Sequence, residues 1–246
     1  MNGTHDTVLV MQNLRKPGID TRGEFLLPPT EAMWDAMRAA DIGWPSWGED
    51  PYVNRLLELA TEMTGKEAAM LCPTTNVSNL LGLMAYCRRG DIAIMEARCH
   101  LWWVEERNIA AHTAAVPRLI QGNRFGEMAV SDIEFALTES VYGFHPRTSL
   151  VCLENTHNVA GGIALPPEYM VKVSEVAHKH GAAVFVDGAR LFNAAVARGV
   201  SVHEMAAPVD ALSLSLNKGL GAPYGSLLCG SAEFITRARK HHPVLG

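Results

Sequence analysis

Between Pro51 and Thr64, the residues Val53, Leu56, Leu57, Ala60 and Met63 recur at the 3.6-residue spacing of an amphipathic helix. Asp50 precedes that run as an N-cap, Pro51 suits the first helical position, and Gly65 supplies the stop. Beyond Gly65 the pattern changes to short β-prone runs separated by helical stretches. The runs are Ala68 to Cys72, Ile92 to Met95, Val116 to Ile120, Leu150 to Leu153, Ala182 to Asp187, Ala211 to Ser215 and Ser226 to Cys229. This alternation predicts an α/β fold of three layers, α/β/α, with helices on both faces of a mostly parallel sheet. The intervening helices carry their own signals: a capping box at Ser131 and Glu134, and a Pro-initiated helix from Pro167 to His180 closed by Gly181. No internal repeat, low-complexity tract or linker interrupts the pattern.

Composition narrows the function classes. With 48% hydrophobic and 19% charged residues the chain is globular rather than disordered. Its 21 basic and 26 acidic residues, net −5, are spread without long runs, so no basic face is offered and nucleic acid is not an expected partner. No apolar stretch approaches the roughly 20 residues that cross a bilayer, and the basic-then-apolar order of a signal peptide is missing. A cytoplasmic protein with no membrane partner is expected. The five cysteines, at 72, 87, 99, 152 and 229, form no C-x-x-C pair and read as buried or free thiols in a reducing compartment.

In a sheet of this kind, ligands bind at the carboxyl ends of the strands. Three segments follow β-runs there: Glu154 to Asn158, Asp187 to Arg190 and Asn217 to Pro223. Asp187 closes an apolar strand, and a carboxylate buried at that point demands a cationic or donor partner. The protonated nitrogen of a pyridine cofactor would be one; capping a helix that begins near Ala189 is the alternative. Lys218 follows the strand Ala211 to Ser215 and precedes the glycine-rich Gly219-Leu220-Gly221. Desolvation and a cationic neighbour there would lower its pKa and free the amine for an imine, although a lone loop lysine is more commonly solvated.

Four stretches carry a resemblance: GEDPYVNRLLELATEMTGKEAA (Gly48 to Ala69), LENTHNVAGG (Leu153 to Gly162), VDGARLFNAAVARGV (Val186 to Val200) and SLNKGLGAPYGSLL (Ser215 to Leu228). On these the chain resembles the threonine aldolase and β-eliminating lyase family of fold-type-I, aspartate-aminotransferase-like enzymes of pyridoxal 5'-phosphate (PLP), from about Asp20 to Gly246. The resemblance implies residues 20–246 as a PLP-binding large domain behind an N-terminal extension over residues 1–19. It implies Lys218 as the Schiff-base lysine, Asp187 paired with the pyridinium nitrogen, and Arg190 on the substrate carboxylate, where a guanidinium forms two parallel hydrogen bonds. His100 matches the histidine that stacks on the cofactor ring and helps remove the substrate hydroxyl proton. His145 matches a second family histidine with its neighbours in altered order. Glu154 and Asn158 frame a turn near the cofactor, and His157 between them reads equally as structural.

The resemblance places the PLP phosphate at the helix opened by Pro73, Thr74, Thr75 and Asn76, whose free N–H groups favour an anion. The family glycine is missing there. Asn217 replaces the family's serine before the lysine, and Gly23 stands where a serine helps hold the substrate carboxylate. The chain ends at Gly246, about where the family's large domain gives way to a small C-terminal domain, so that domain is expected to be absent here, in a fragment or a minimal relative.

The implied activity is retro-aldol cleavage of a β-hydroxy-α-amino acid, threonine or allo-threonine, to glycine and an aldehyde. β-Elimination and transamination use the same cofactor and lysine, and Gly23, the altered phosphate loop and the expected absence of the C-terminal domain also suit a catalytically impaired PLP-binding or interaction protein. No ligand cluster implies a metal, and the adjacent His241 and His242 read as a solvated helix end. Family sites are completed across a subunit boundary, and the turn Trp47-Gly48-Glu49-Asp50 matches the segment that reaches the neighbour. A homodimer or homotetramer is therefore expected, with Trp44 and Trp47 as anchors unless both pack on their own domain.

Overall fold

The computed structural model describes residues 23–140 and 146–245. The expected N-terminal extension, residues 1–19, and His145 lie outside the described residues. Seven strands form one sheet: β1 (Ala68–Cys72), β2 (Ile92–Glu96), β3 (Val116–Ile120), β4 (Thr148–Glu154), β5 (Ala183–Gly188), β6 (Ala211–Ser215) and β7 (Ser226–Gly230). Their order across the sheet is β1-β7-β6-β5-β4-β2-β3. All pairings are parallel except those of β7, which runs antiparallel to both β1 and β6. The short connection from β6 to β7 cannot make the crossover that a parallel neighbour requires, so β7 turns back. Every β-run of the sequence is a strand, most with one or two residues added at an end.

The helices are α1 (Glu31–Ala39), α2 (Pro51–Thr64), α3 (Thr75–Tyr86), α4 (His100–Trp103), α5 (Val130–Thr138), α6 (Pro167–Lys179), α7 (Leu191–Arg198), α8 (Val202–Ala206) and α9 (Ala232–Leu245), with short turns at Glu24–Leu26, Pro45–Trp47, Glu106–Asn108 and Ile109–Thr113. Asp50 caps α2 by accepting from the Tyr52 and Val53 N–H groups, and Gly65 ends it in the left-handed region. The capping box expected at Ser131 does not form. Helix α5 starts two residues earlier than that box requires, behind Ala129, and Glu134 instead bonds Lys179 of α6 at 2.7 Å. A true capping box appears at Ser201 and Glu204, opening α8.

The central strands are buried on both faces, and their side chains divide between two cores. Ile92, Ile94, Val151, Leu153, Val184, Val186 and Leu212 pack with Met170 and Val173 of α6 and Leu191 and Ala194 of α7. Ala93, Met95, Leu150, Cys152 and Phe185 pack on the opposite face with Leu81 and Leu83 of α3 and Phe234 of α9. A Cβ on Gly82 of α3 would stand 2.6 Å from the Phe185 ring, so the missing side chain lets that helix lie against the sheet. These are the three layers the sequence predicts. All five cysteines are buried free thiols. Among the described residues no helix is long and apolar enough to cross a membrane.

Because β2, β4, β5 and β6 run in parallel, their carboxyl ends share one edge. Three of those strands carry a carboxylate at or next to that end: Glu96 on β2, Glu154 on β4 and Asp187 on β5. The topology has placed these carboxylates along one edge of the sheet.

Candidate active site

Asp187 is 2% exposed at the end of β5. Its Oδ2 accepts from Asn79 Nδ2 at 2.9 Å and its Oδ1 from the Ala189 N–H at 3.1 Å. It does not cap α7, whose N-cap is Arg190 with no side-chain cap bond. Asn79 is fully buried in α3 and its amide orientation is determined by its surroundings. Ser213 of β6 donates to its Oδ1 at 2.7 Å, so Nδ2 faces the carboxylates of Asp187 and, at 3.0 Å, Glu105.

Lys218 follows β6 and is 8% exposed. Among the described residues its ammonium has no hydrogen-bond or ion-pair partner, and the Phe25 ring lies with its centroid 5.7 Å away. Burial pulls the amine below the ordinary lysine value; the Asp187 charge opposes that fall and the Arg190 charge adds to it. This is not a solvated loop lysine. Just before it, Asn217 Oδ1 accepts from Ser215 Oγ at 2.8 Å, so the residue that departs from the family's serine ties the turn to the strand end.

Arg190 reaches the same crevice and donates from Nε to Glu24. Burial alone would raise the Glu24 carboxyl, but the Arg190 hydrogen bond and charge outweigh it and hold Glu24 below its ordinary value. The guanidinium expected to hold a substrate carboxylate thus already holds one of the protein's own. Gly23, beside it, has no side chain to offer a substrate.

His100 begins α4, and its Nδ1 lies 2.7 Å from Glu105 Oε1 and 4.0 Å from Asp187 Oδ2. The hydrogen bond to Glu105 raises the His100 pKa, against burial. Burial, reinforced by the Asp187 charge, pushes Glu105 up to about 7. Glu154 is engaged by main chain at both oxygens, from the His100 N–H at 2.7 Å and the Asn158 N–H at 2.8 Å, so it fastens the start of α4 to the turn after β4. His157 is 1% exposed and bonds Glu96 through Nε2 at 3.0 Å, while its Nδ1 accepts from Ala160 N–H at 3.3 Å. Both ring nitrogens are committed to holding that turn, which makes His157 structural. The ligand atoms of His100, Glu105 and Asp187 fall within 4.8 Å of one another, a donor set that the sequence did not reveal. The His100–Glu105 hydrogen bond and the Asn79 amide that bridges Glu105 and Asp187 account for this convergence.

At the carboxyl end of β1, Thr74 caps α3 by accepting from Val77 N–H at 3.3 Å. The Thr75 and Asn76 N–H groups, in the first turn, have no partner within the helix and are available to an anion despite the missing glycine. The structure therefore brings Lys218, Asp187, Arg190, His100, Thr74, Thr75 and Asn76 to one edge of the sheet. It adds Asn79, Glu105, Ser213 and Glu24, which the sequence reading did not single out.

A buried lysine and a buried carboxylate stand at the ends of adjacent strands of a mostly parallel sheet, the ligand-binding edge of an α/β protein. The chain belongs to the beta-eliminating lyase family, whose model matches residues 26–246. It is 39% identical over 230 residues to low-specificity L-threonine aldolase 1 of Arabidopsis thaliana, covering 93% of this chain and 64% of that protein. It is 37% identical over 228 residues to the low specificity L-threonine aldolase of Escherichia coli K12, covering 93% of this chain and 67% of that one. A structure of Leishmania major threonine aldolase shares the fold at 21% identity with a TM-score of 0.75, over 89% of this chain and 64% of that one. The chain spans about two thirds of the length of the curated relatives it matches.

Proposed function

We propose that this chain is the large domain of a PLP-dependent lyase that cleaves a β-hydroxy-α-amino acid, threonine or allo-threonine, to glycine and an aldehyde. The observation that carries the reading is Lys218, a buried amine without a polar partner among the described residues, which lies in the field of the buried Asp187. The residues fit the cofactor: Lys218 for its aldehyde, Asp187 for its ring nitrogen, His100 beside the ring, and Thr74, Thr75 and Asn76 for its phosphate. When bound, PLP supplies a carbonyl that condenses with amines and a protonated ring that takes up electrons released at the substrate's Cα.

The protein's own groups do the rest. Asp187, held by two donors, would present its carboxylate to the ring nitrogen. Arg190 presents a planar fork to the α-carboxylate, which orients the scissile bond. His100 has Nδ1 engaged by Glu105, leaving Nε2 to accept the β-hydroxyl proton. Incubating the PLP-loaded protein with threonine and allo-threonine and measuring glycine and aldehyde tests the reading. Conversion to a 2-oxo acid instead would establish transamination.

Glu24 competes for Arg190, so a substrate carboxylate must displace it. Glu24→Gln is expected to lower KM about tenfold, as for a charge-assisted hydrogen bond worth about 1.4 kcal/mol, with little change in kcat. A raised KM would show that Glu24 positions Arg190 for the substrate instead.

We further propose that the site is shared between copies of the chain, as a homodimer or homotetramer. Trp44 and Trp47 stack on each other at 5.3 Å rather than burying against their own domain, and Trp47 remains 73% exposed. Such aromatic pairs anchor interfaces. Light scattering across a concentration series should show at least a dimer, and Trp47→Ala should weaken it by about tenfold or more. A monomer that cleaves substrate would defeat this reading. The five free thiols support a cytoplasmic location.

A further inference from the structure

We infer that Glu105 is the positioning residue for His100, and that Asn79 joins this pair to Asp187 so that the histidine and the carboxylate facing the cofactor nitrogen are held as one unit. The inference rests on the PLP-lyase reading for its consequence in turnover, but the contacts belong to the protein alone.

The geometry permits one arrangement. Glu105 is 2% exposed, and its Oε1 serves two partners, His100 Nδ1 at 2.7 Å and Asn79 Nδ2 at 3.0 Å. The same Asn79 nitrogen spends its other hydrogen on Asp187 Oδ2 at 2.9 Å. Ser213 occupies the Asn79 carbonyl, so the amide cannot flip without leaving a buried hydroxyl and two buried carboxylates unsatisfied. When Glu105 is ionised, both of its partners meet Oε1 as an acceptor, and Nδ1 carries the hydrogen. Neutral His100 is thereby held in the Nδ1–H tautomer, with Nε2 as its lone-pair nitrogen, the opposite of the form an unconstrained imidazole favours.

Glu105 and His100 lie close enough to titrate as a pair. Glu105 faces His100 on its own segment, Asn79 on α3 and Asp187 on β5; His100 faces Glu105, Asp187 and, from β4, Glu154. Two carboxylates in addition to Glu105 therefore bear on His100, and neither of them reaches its Nδ1 as a hydrogen-bond acceptor.

The test uses nitrogen-15 NMR of the histidine rings in the cofactor-free protein, with His100 assigned by loss of its signal in His100→Gln. The wild type should show His100 in the Nδ1–H tautomer. Glu105→Ala removes the acceptor and should return His100 to the Nε2–H tautomer, with a loss of about 10²-fold in kcat for the loaded protein. Glu105→Gln keeps an oxygen facing both donors, because Asn79 still requires an acceptor there. The tautomer should persist while the His100 titration midpoint moves to lower pH, since a negative neighbour that favoured the imidazolium is gone. The acid limb of kcat/KM should move the same way.

A His100 tautomer unchanged in Glu105→Ala would overturn the inference. If that variant does not fold, an unmoved midpoint in Glu105→Gln overturns it. Because the NMR readout needs neither PLP nor substrate, a protein that shows the tautomer shift but releases no glycine would fail the lyase reading while sustaining this one.

Discussion

Lys218→Ala is expected to abolish covalent retention of PLP and to reduce glycine release by about 10⁴-fold or more. The lysine combines two roles that no neighbour can take over. Its amine is lowered in pKa by burial, which suits imine formation, and in the proposed reaction it would also deliver and remove protons at the substrate's Cα. Lys66, half-buried and likewise lowered by desolvation, donates to the Val209 carbonyl and is committed there. The fold should tolerate the change. An ammonium without a polar partner among the described residues contributes little beyond the packing of its stem, so the melting temperature should move by only a few degrees. Borohydride reduction followed by mass spectrometry reads the result directly: a wild-type mass increase of one cofactor, and none in the variant. An adduct that persists in Lys218→Ala would transfer the role to another amine and sink the assignment.

The backbone of this fold was legible because the strands are buried on both faces. Such strands appear in sequence as unbroken apolar runs, and each run marked a strand to within one or two residues, as Ala68–Cys72, Val116–Ile120 and Ala211–Ser215 show. Legibility failed where a local motif had a stronger tertiary competitor. Ser131 and Glu134 have the spacing of a capping box, but Glu134 gains an ion pair to Lys179 across the helix pair, and the helix begins before Ser131. The direction of β7 was available from the shortness of its connection to β6, a cue that the count of β-runs does not contain.

The site divides the same way. Asp187 closes a strand and Arg190 and Lys218 follow strands closely, where sequence position alone places them at the ligand-binding edge. Asn79 and Glu105 could not be found so. Asn79 lies in an apolar helix between Ser78 and Leu80, and its burial shows that it must have partners, not which ones. Glu105 is one of two adjacent glutamates, and only the packed structure tells which points inward. The Glu24 contact to Arg190 joins segments far apart in the chain, a pairing that no local pattern encodes.

Asp187→Asn is the complementary experiment, and its expected result is weak PLP binding with turnover reduced by about 10²- to 10³-fold. Both Asp187 oxygens accept hydrogen bonds, from Ala189 N–H and Asn79 Nδ2. An asparagine must turn its own NH₂ toward one of those donors, so one bond is lost and two donors face each other, at a cost of about 1–3 kcal/mol to the fold. That cost moves the melting temperature by several degrees and leaves the protein folded. The larger loss falls on function, because a neutral amide cannot keep a ring nitrogen protonated. A second signature follows from charge. Asp187 helps hold Glu105 up near 7, so its neutralisation should let Glu105 ionise at lower pH. Titration of the cofactor's visible absorbance against the variant, with glycine release measured at saturating PLP, separates the two effects. A near-normal rate with cofactor bound would show that Asp187 serves only to hold Asn79 and the turn at Ala189.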